Sequence, residues 1–297
     1  MITYNHENYI SEAIESVLKQ QTDFKIEIVI GEDCSTDQTR YVISKIANSN
    51  PGKIKPLFRS KNLGIIANFQ NTINNCTGKY IAICEGDDYW TDPLKLQKQV
   101  DFLETNPDFS GCAHQTNKIF DDKRKTACLF KENTKDIIGI YDLLETRLFH
   151  TASFIYRAQI TKDNSLPTNI TAGDRALFLL VASKGKIKYF DDVMGIYRKH
   201  SGGISTWVTC SMMEKDLNMI KWIRKINPDF PHRKYSQFIH LTIMLYPTYI
   251  SKIKIIEHYL KYVYFSVNES PFKYRKLKQF TLFQLPEIWK KSMKSNV

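Results

Sequence analysis

Tyr80-Ile81-Ala82-Ile83-Cys84-Glu85-Gly86-Asp87-Asp88-Tyr89-Trp90 decides the reading of this chain. Residues 80–84 are a short apolar run of the kind found in a strand buried on both faces, and the chain then turns at once into three carboxylates within four residues. Carboxylates so close repel one another unless a cation or a set of hydrogen-bond donors compensates. Hard oxygen ligands suit Mg2+ or Mn2+, and Mg2+ is usually held by one or two carboxylates together with substrate phosphates. The plainer alternative is a solvated acidic turn capping the helix that Pro93 opens.

Upstream of this stretch, strand and helix patterns alternate at short intervals. Ile10, Ala13, Ile14, Val17 and Leu18 follow the spacing of a helix with one buried face. Residues 26–30 are a β-branched run, as in a buried strand. Ser35-Thr36-Asp37-Gln38 reads as a capping box opening a second helix, with Val42, Ile43, Ile46 and Ala47 inward. Residues 54–58 make a weaker strand, and Ile66, Phe69 and Ile73 give a third helical stripe that Thr77-Gly78 ends. Downstream, Pro93 takes a first helical position and Leu96, Val100 and Leu103 continue that helix. Residues 109–157 show no single period. A helix over 175–183 and two strands, 186–190 and 193–197, follow, and beyond Ser205 the segments are helical.

This alternation implies parallel strands with helical crossovers, an α/β sheet. Met1 to Tyr4 supplies only the end of a first strand. The sheet would otherwise lack a central member, so a further ~4–6 residues of that strand are expected to be missing. In such a sheet, ligands bind beyond the carboxyl ends of the strands. Thr3-Tyr4-Asn5, Glu32-Asp33-Cys34-Ser35 and Glu85-Gly86-Asp87-Asp88 all fall there and would share one rim.

The chain has 297 residues, 42% of them hydrophobic, enough to bury a core in one large domain or in one domain with an appendage. It opens with no basic head or apolar run, so no secretory signal peptide is expected. Its longest apolar stretch, 241–250, holds Pro247 and is far below the ~20 residues of a spanning helix. Six scattered cysteines show neither zinc spacing nor a disulfide framework, which suits reduced thiols in a cytosolic protein. The net charge of +11 is uneven: from Ser205 onward there are 16 Lys and Arg against 6 Asp and Glu. Residues 272–291 mix cations with large apolar groups, a composition suited to an anionic membrane surface; nucleic acid is not expected as a partner.

The spaced set of turns resembles the large inverting family of glycosyltransferases with the GT-A fold, family 2 glycosyltransferases. The likeness rests on Thr3-Tyr4-Asn5, the run from Glu32 to Thr39, Lys61-Asn62-Leu63-Gly64, the run from Glu85 to Trp90, and Thr171-Ala172-Gly173-Asp174, and it covers residues 1–204. It implies a Rossmann-like, mostly parallel sheet flanked by helices as a catalytic domain over 1–204, and a basic, mainly helical extension over 205–297.

Carried over residue by residue, the resemblance makes Asp33 the aspartate that binds the base of the donor. Thr3, Tyr4, Asn5, Glu7 and Asn62 line the nucleoside, and Asp87 lies by the ribose. Asp88 would hold a divalent ion, Mn2+ or Mg2+, on the donor diphosphate, with His200 as a second contact to metal or diphosphate. Glu85 stands where the family more often has Asp, which lengthens the reach. Asp174 would be the general base that deprotonates the acceptor hydroxyl; it follows Gly173 at a helix start, where Asp is also an ordinary N-cap. Trp90, His150 and Arg175 fall on the acceptor side, although packing under the loop is the commoner fate of a Trp in such a place.

The resemblance thus implies an inverting hexosyl- or N-acetylhexosaminyl-transferase of cell-envelope polysaccharide assembly. It would take a nucleotide-sugar donor, UDP-linked by preference, and a glycan or lipid-linked acceptor, and work in the cytoplasm or at the inner face of the membrane. A sugar nucleotidyltransferase would want a glycine-rich phosphate loop with a basic residue near the first strand, which Thr3-Tyr4-Asn5-His6 does not offer. A catalytically silent sugar-nucleotide scaffold would not need Asp87, Asp88 and Asp174 together.

Overall fold

Ile28–Glu32 (β2) is buried along its whole length, as its run of β-branched residues requires. It pairs in parallel with Ile2–Thr3 (β1) on one side and Ile54–Phe58 (β3) on the other. Ile10–Leu18 (α1) and Thr39–Ser49 (α2) make the crossovers between them. Ile28 and Ile30 turn into a core shared with Ile10, Ile14 and Ile43. Gly31 turns the other way, toward Ile65–Asn74 (α3). A Cβ at Gly31 would lie 2.0 Å from Thr72 Oγ1 and 2.6 Å from Asn68 Oδ1, so the missing side chain is what lets α3 sit down on the sheet.

The structure is a computed structural model that describes residues 1–122, 124–203, 208–245 and 250–267. These divide into two units, Met1–Thr168 with Gly173–Gly203, and Asn169–Ala172 with the segment from Ile204 on. The first unit is a mixed α/β assembly with helices flanking the sheets, the class expected. Its second sheet has the order β4-β9-β6-β10-β5 and is built from Tyr80–Ala82 (β4), Tyr89–Trp90 (β5), Phe109–Phe120 (β6), Ile155–Arg157 (β9) and Lys186–Lys199 (β10). Off this path, Cys128–Leu129 (β7) pairs with β6 and Ile137–Ile138 (β8) with β10. Only β6 and β10 run parallel there; β4–β9, β9–β6 and β10–β5 are antiparallel. Of these antiparallel pairings, β9–β6 lies wholly within residues 109–157, where no period is legible, β4–β9 has one strand there, and β10–β5 has none.

Three local readings change in detail. The capping box before α2 does not form: Asp37 instead takes the Thr39 N–H at 2.9 Å and the Glu7 N–H at 3.1 Å, drawn across to the loop after β1. Lys95–Thr105 (α4) begins two residues after Pro93, because Asp92 captures the Leu94 N–H at 2.8 Å. The two strands expected over 186–197 are one, with bulges between Phe190 and Gly195. Before the bulge Ile187 and Tyr189 are buried; after it Met194, Ile196 and Arg198 are, so the inward side changes parity. Gln159–Asp163 (α5) is short, and Gly173–Ala182 (α6) buries Leu177 to Val181.

The second unit contains Cys210–Lys215 (α7), Asn218–Ile226 (α8), His232–Leu245 (α9) and Lys252–Val267 (α10), helical as expected. The basic stretch 272–291 lies outside the described residues. Among the described residues, no helix is long and apolar enough to cross a membrane.

Candidate active site

Three turns that are remote in sequence interlock at one rim of the first unit. The loop after β1 is stitched to the loop after β2: Asn5 N–H donates to Ser35 Oγ at 3.0 Å, Thr36 N–H to Asn5 Oδ1 at 2.8 Å, and Gln38 N–H to Glu7 Oε2 at 2.8 Å. Asn5 itself has φ 55°, a left-handed conformation that Asn tolerates. The acidic turn closes on the same loop, since Gly86 N–H donates to Ile2 O at 3.0 Å. A Cβ at Gly86 would come within 2.5 Å of Thr3 Oγ1, so the approach depends on glycine.

Asp33 is buried and each of its carboxylate oxygens accepts a hydrogen bond. Oδ1 takes the Leu63 N–H at 2.8 Å and Oδ2 the Gly64 N–H at 2.9 Å, while Asn62 Nδ2 donates to the Asp33 carbonyl at 3.2 Å. It therefore pins the start of α3, where free N–H groups favour an anion. Tyr4 is exposed and Thr3 is buried. Glu32, wholly buried, is paired with Arg40 at 2.7 Å.

The acidic turn forms two metal-competent groups. In the first, ligand atoms of Glu85, Asp88 and His150 lie within 4.8 Å of one another. Burial, and then the adjacent charge of Asp87, push the Glu85 carboxyl up to about 7. Burial, then Asp87 and Glu85, hold the Asp88 carboxyl well above the usual range. Burial, then the charge of Arg147, push His150 down to about 3, so its imidazole is neutral.

His150 Nδ1 accepts the Ala152 N–H at 3.3 Å, which leaves it no proton to offer Asp88 Oδ2, 3.5 Å away. Glu85 Oε2 is buried with no hydrogen-bond partner. Two carboxyl groups and a neutral imidazole gathered within 4.8 Å, one carboxyl oxygen of Glu85 being buried without a partner, fit a hard divalent cation such as Mn2+ or Mg2+.

The second group joins His6, Asp87 and His200, again within 4.8 Å. His200 Nε2 lies 3.0 Å from Asp87 Oδ2, and His6 Nδ1 is 3.1 Å from Thr3 Oγ1. Burial works against the Asp87 charge, yet the hydrogen bond to His200 and the charges of His6 and His200 hold its carboxyl below the usual range. Asp88 and His200, expected on one metal, thus stand in separate groups.

Arg198 connects them. Its N–H donates to Asp88 Oδ1 at 2.8 Å, its guanidinium to the Asp87 carbonyl at 2.7 Å and to Glu12 at 2.5 Å, and it is stacked 4.7 Å from the Tyr9 ring centroid and 5.1 Å from that of Tyr89.

Asp174 lies in the first turn of α6, with Oδ1 accepting the Arg175 N–H at 2.8 Å. Its other oxygen is ion-paired with Arg147, whose charge also acts on Glu85 and His150. Arg147 therefore ties Asp174 to the first acidic group. The Arg175 guanidinium donates to the Leu144 carbonyl at 2.9 Å. Trp90 is 5% exposed, donates from Nε1 to Ala152 O at 2.7 Å, and carries Lys95 Nζ 3.8 Å above its ring. It holds the core and presents no free face for a sugar.

Reading the sequence misses Arg147, His6 and the structural task of Arg198. Arg147 is a lone cation in a stretch without period, and nothing in its neighbours marks it. His6 was visible only as the fourth residue of the first polar turn.

The family model for glycosyl transferase family 2 matches residues 1–164. An uncharacterized protein of Mycobacterium bovis is 37% identical over 203 residues, 68% of this chain and 58% of that protein. This chain thus spans a little over half the length of that relative. The poly(ribitol-phosphate) beta-N-acetylglucosaminyltransferase TarS of Staphylococcus aureus is 29% identical over 188 residues, 61% of this chain and 31% of TarS.

Among solved structures, TarS residues 1–349 in complex with UDP-GlcNAc aligns with TM-score 0.66 and 20% identity, covering 89% of this chain and 78% of that one. The mannosyltransferase PcManGT of Pyrobaculum calidifontis, in complex with GDP-Man and Mn2+, aligns with TM-score 0.57 and 15% identity, over 98% of this chain and 81% of that one. At such identities the structural likeness is one of fold.

Proposed function

The chain belongs to glycosyl transferase family 2, and from that membership we propose that it moves one sugar, with inversion, from a UDP-linked donor to a glycan or lipid-linked glycan acceptor. The observation that supports this most is the gathering of Asp33, Asp88 and Asp174 around one rim, through the β1 loop on one side and Arg147 on the other. UDP is preferred because TarS, similar in both sequence and fold, was solved with UDP-GlcNAc; the same likeness favours an N-acetylhexosaminyl group over a plain hexosyl one.

In the proposed reaction the acceptor hydroxyl attacks the anomeric carbon from the face opposite the diphosphate. The carbon–oxygen bond to the diphosphate breaks, and the electron pair leaves with that oxygen. Asp174 takes the hydroxyl proton, and Arg147 fixes its carboxylate in place before attack. Asp88, with Glu85 and His150, would hold a divalent cation, which when bound supplies charge stabilisation to the departing diphosphate. His200 orients Asp87 toward the ribose, and Thr3, Tyr4, Asn5, Glu7 and Asn62 form the wall around the nucleoside, with Asp33 ordering it. Arg198 sets the acidic turn from behind. The basic C-terminal sequence supports work at the cytoplasmic face of an anionic membrane, where a lipid-linked acceptor would lie.

The deciding measurement is a thermal-shift screen of UDP, GDP, dTDP and CMP with and without Mn2+, followed by donor hydrolysis. UDP with Mn2+ should give the largest rise by mass action. A chain that responds to no nucleotide, with or without Mn2+, and hydrolyses no donor would end this reading.

A further inference from the structure

One side of α10 is seated on α9. Ile255, His258 and Ser266 are buried, and His258 Nδ1 meets His240 Nδ1 at 2.8 Å. A different side of the same helix is apolar and exposed. Ile253 is 80% exposed and Leu260 61%, Ile256 is exposed between them, and Tyr264 continues the line. At about 100° per residue these four positions fall within an arc of about 80°, so they form one stripe. At about 1.5 Å per residue the stripe runs roughly 16 Å along the helix. Large apolar side chains scattered singly over a surface are ordinary, whereas an aligned row of them marks a surface that meets another apolar one.

We propose that this stripe docks on an anionic lipid bilayer, with α10 lying in the plane of the interface and Ile253, Ile256 and Leu260 entering the headgroup boundary. The charges beside the stripe select this occupant. Lys254 and Lys261 border it, Lys254 reaching Glu214 at 2.8 Å and Lys261 reaching Glu257 at 2.5 Å. Glu257 is the one acid of α10, and its pairing with Lys261 leaves no unmatched negative charge to oppose an anionic surface.

Along the sequence, α10 holds three Lys against that one Glu, and residues 268–297 hold seven Lys and Arg against two Glu. A second copy of this helix would set like charge against like, and so would the segment that follows it. A bilayer with anionic headgroups offers the opposite charge and an apolar layer directly beneath it.

The inference names the surface through which the membrane placement proposed above would be made. It rests on that placement and not on sugar transfer, whose failure is read separately in the UDP thermal shift. The chain is titrated with vesicles of phosphatidylcholine alone and with vesicles containing phosphatidylglycerol at low salt. Affinity should be at least about tenfold higher for the anionic vesicles. The triple variant Ile253→Ser, Ile256→Ser, Leu260→Ser should lose at least about fivefold of that affinity while its Tm and its response to UDP with Mn2+ stay unchanged.

No preference of the original chain for anionic vesicles would overturn the proposal. A smaller loss in a folded triple variant would also overturn it, leaving the binding to the charge of the C-terminal sequence. So would a chain that ignores vesicles but associates with itself, and does so less in the triple variant, since the stripe would then face a second copy. If the triple variant fails to fold, Ile253→Ser alone decides, with a loss of at least about twofold expected and an unaltered affinity sinking the idea.

Discussion

Glu85, Asp88 and His150 in the first unit and Glu214, His258 and His240 in the second both join carboxyl groups to imidazoles, and each buries its histidines. Their hydrogen bonds differ. In the second unit Glu214 receives Lys254 at 2.8 Å and His258 Nε2 at 3.0 Å, and His258 Nδ1 meets His240 Nδ1 at 2.8 Å, a relay that runs from Lys254 to His240. The Lys254 hydrogen bond, with that of His258, holds the Glu214 carboxyl below its usual range. In the first unit a buried carboxyl oxygen of Glu85 has no partner, and His150 Nδ1, which accepts the Ala152 N–H, offers no proton to Asp88 Oδ2 3.5 Å away. Residue type alone would rank the two clusters alike. What separates a ligand-seeking group from a structural one is whether its buried polar atoms are already satisfied.

The contrast can be broken most sharply at Asp88. Asp88→Asn should lower Mn2+-dependent donor hydrolysis about 10³-fold, a loss of several kcal/mol, and abolish the Mn2+-dependent part of the thermal shift with UDP. Glu214→Gln in the second unit should leave both unchanged. Asp174→Asn should reduce kcat for transfer by about 10²–10⁴-fold while the UDP thermal shift persists, which separates base from binding residue. Normal transfer by that variant would remove Asp174 from its assigned role. Arg147→Gln should lower kcat about tenfold with little change in KM, because it frees the Asp174 carboxylate without touching the donor.

The smallest effect belongs to this relay. Burial, and then the charge of His258, push His240 down to about 4. Between its ordinary value of 6.5 and about 4 the unfolded chain binds the proton more readily, so native stability falls as pH drops through that window. His240→Gln should flatten this acid limb by about 1–2 kcal/mol in urea unfolding monitored between pH 7 and pH 4, with the remaining slope due to His6, His114 and His150. An unaltered acid limb would mean that the relay is not proton-sensitive.

Much of the first unit was legible because its signals are local. Apolar periods place α1, α3 and β2 within a residue or two, and an acidic turn after an apolar strand is visible without coordinates. The pairing of distant groups was not legible. Asp33 spends its carboxylate on the Leu63 and Gly64 N–H groups, Arg198 is drawn inward between two tyrosines, and Trp90 lies beneath Lys95. Each depends on which loops meet in space, and neither propensity nor period encodes that. The antiparallel half of the second sheet stayed hidden for a related reason. Residues 109–157 serve several neighbours at once, so no single face repeats.

The bulge in β10 carries a consequence for how this chain can vary. Because the inward parity changes between Tyr189 and Met194, Arg198 reaches the acidic turn only when the residue count through that kink is kept. Loss or gain of a single residue there would rotate Arg198 to the outside and bring Tyr197 or Lys199 beneath the two aspartates. Substitutions along the kink should be tolerated far more readily than a one-residue deletion or insertion, so among functional variants the spacing of this segment should be more uniform than its composition.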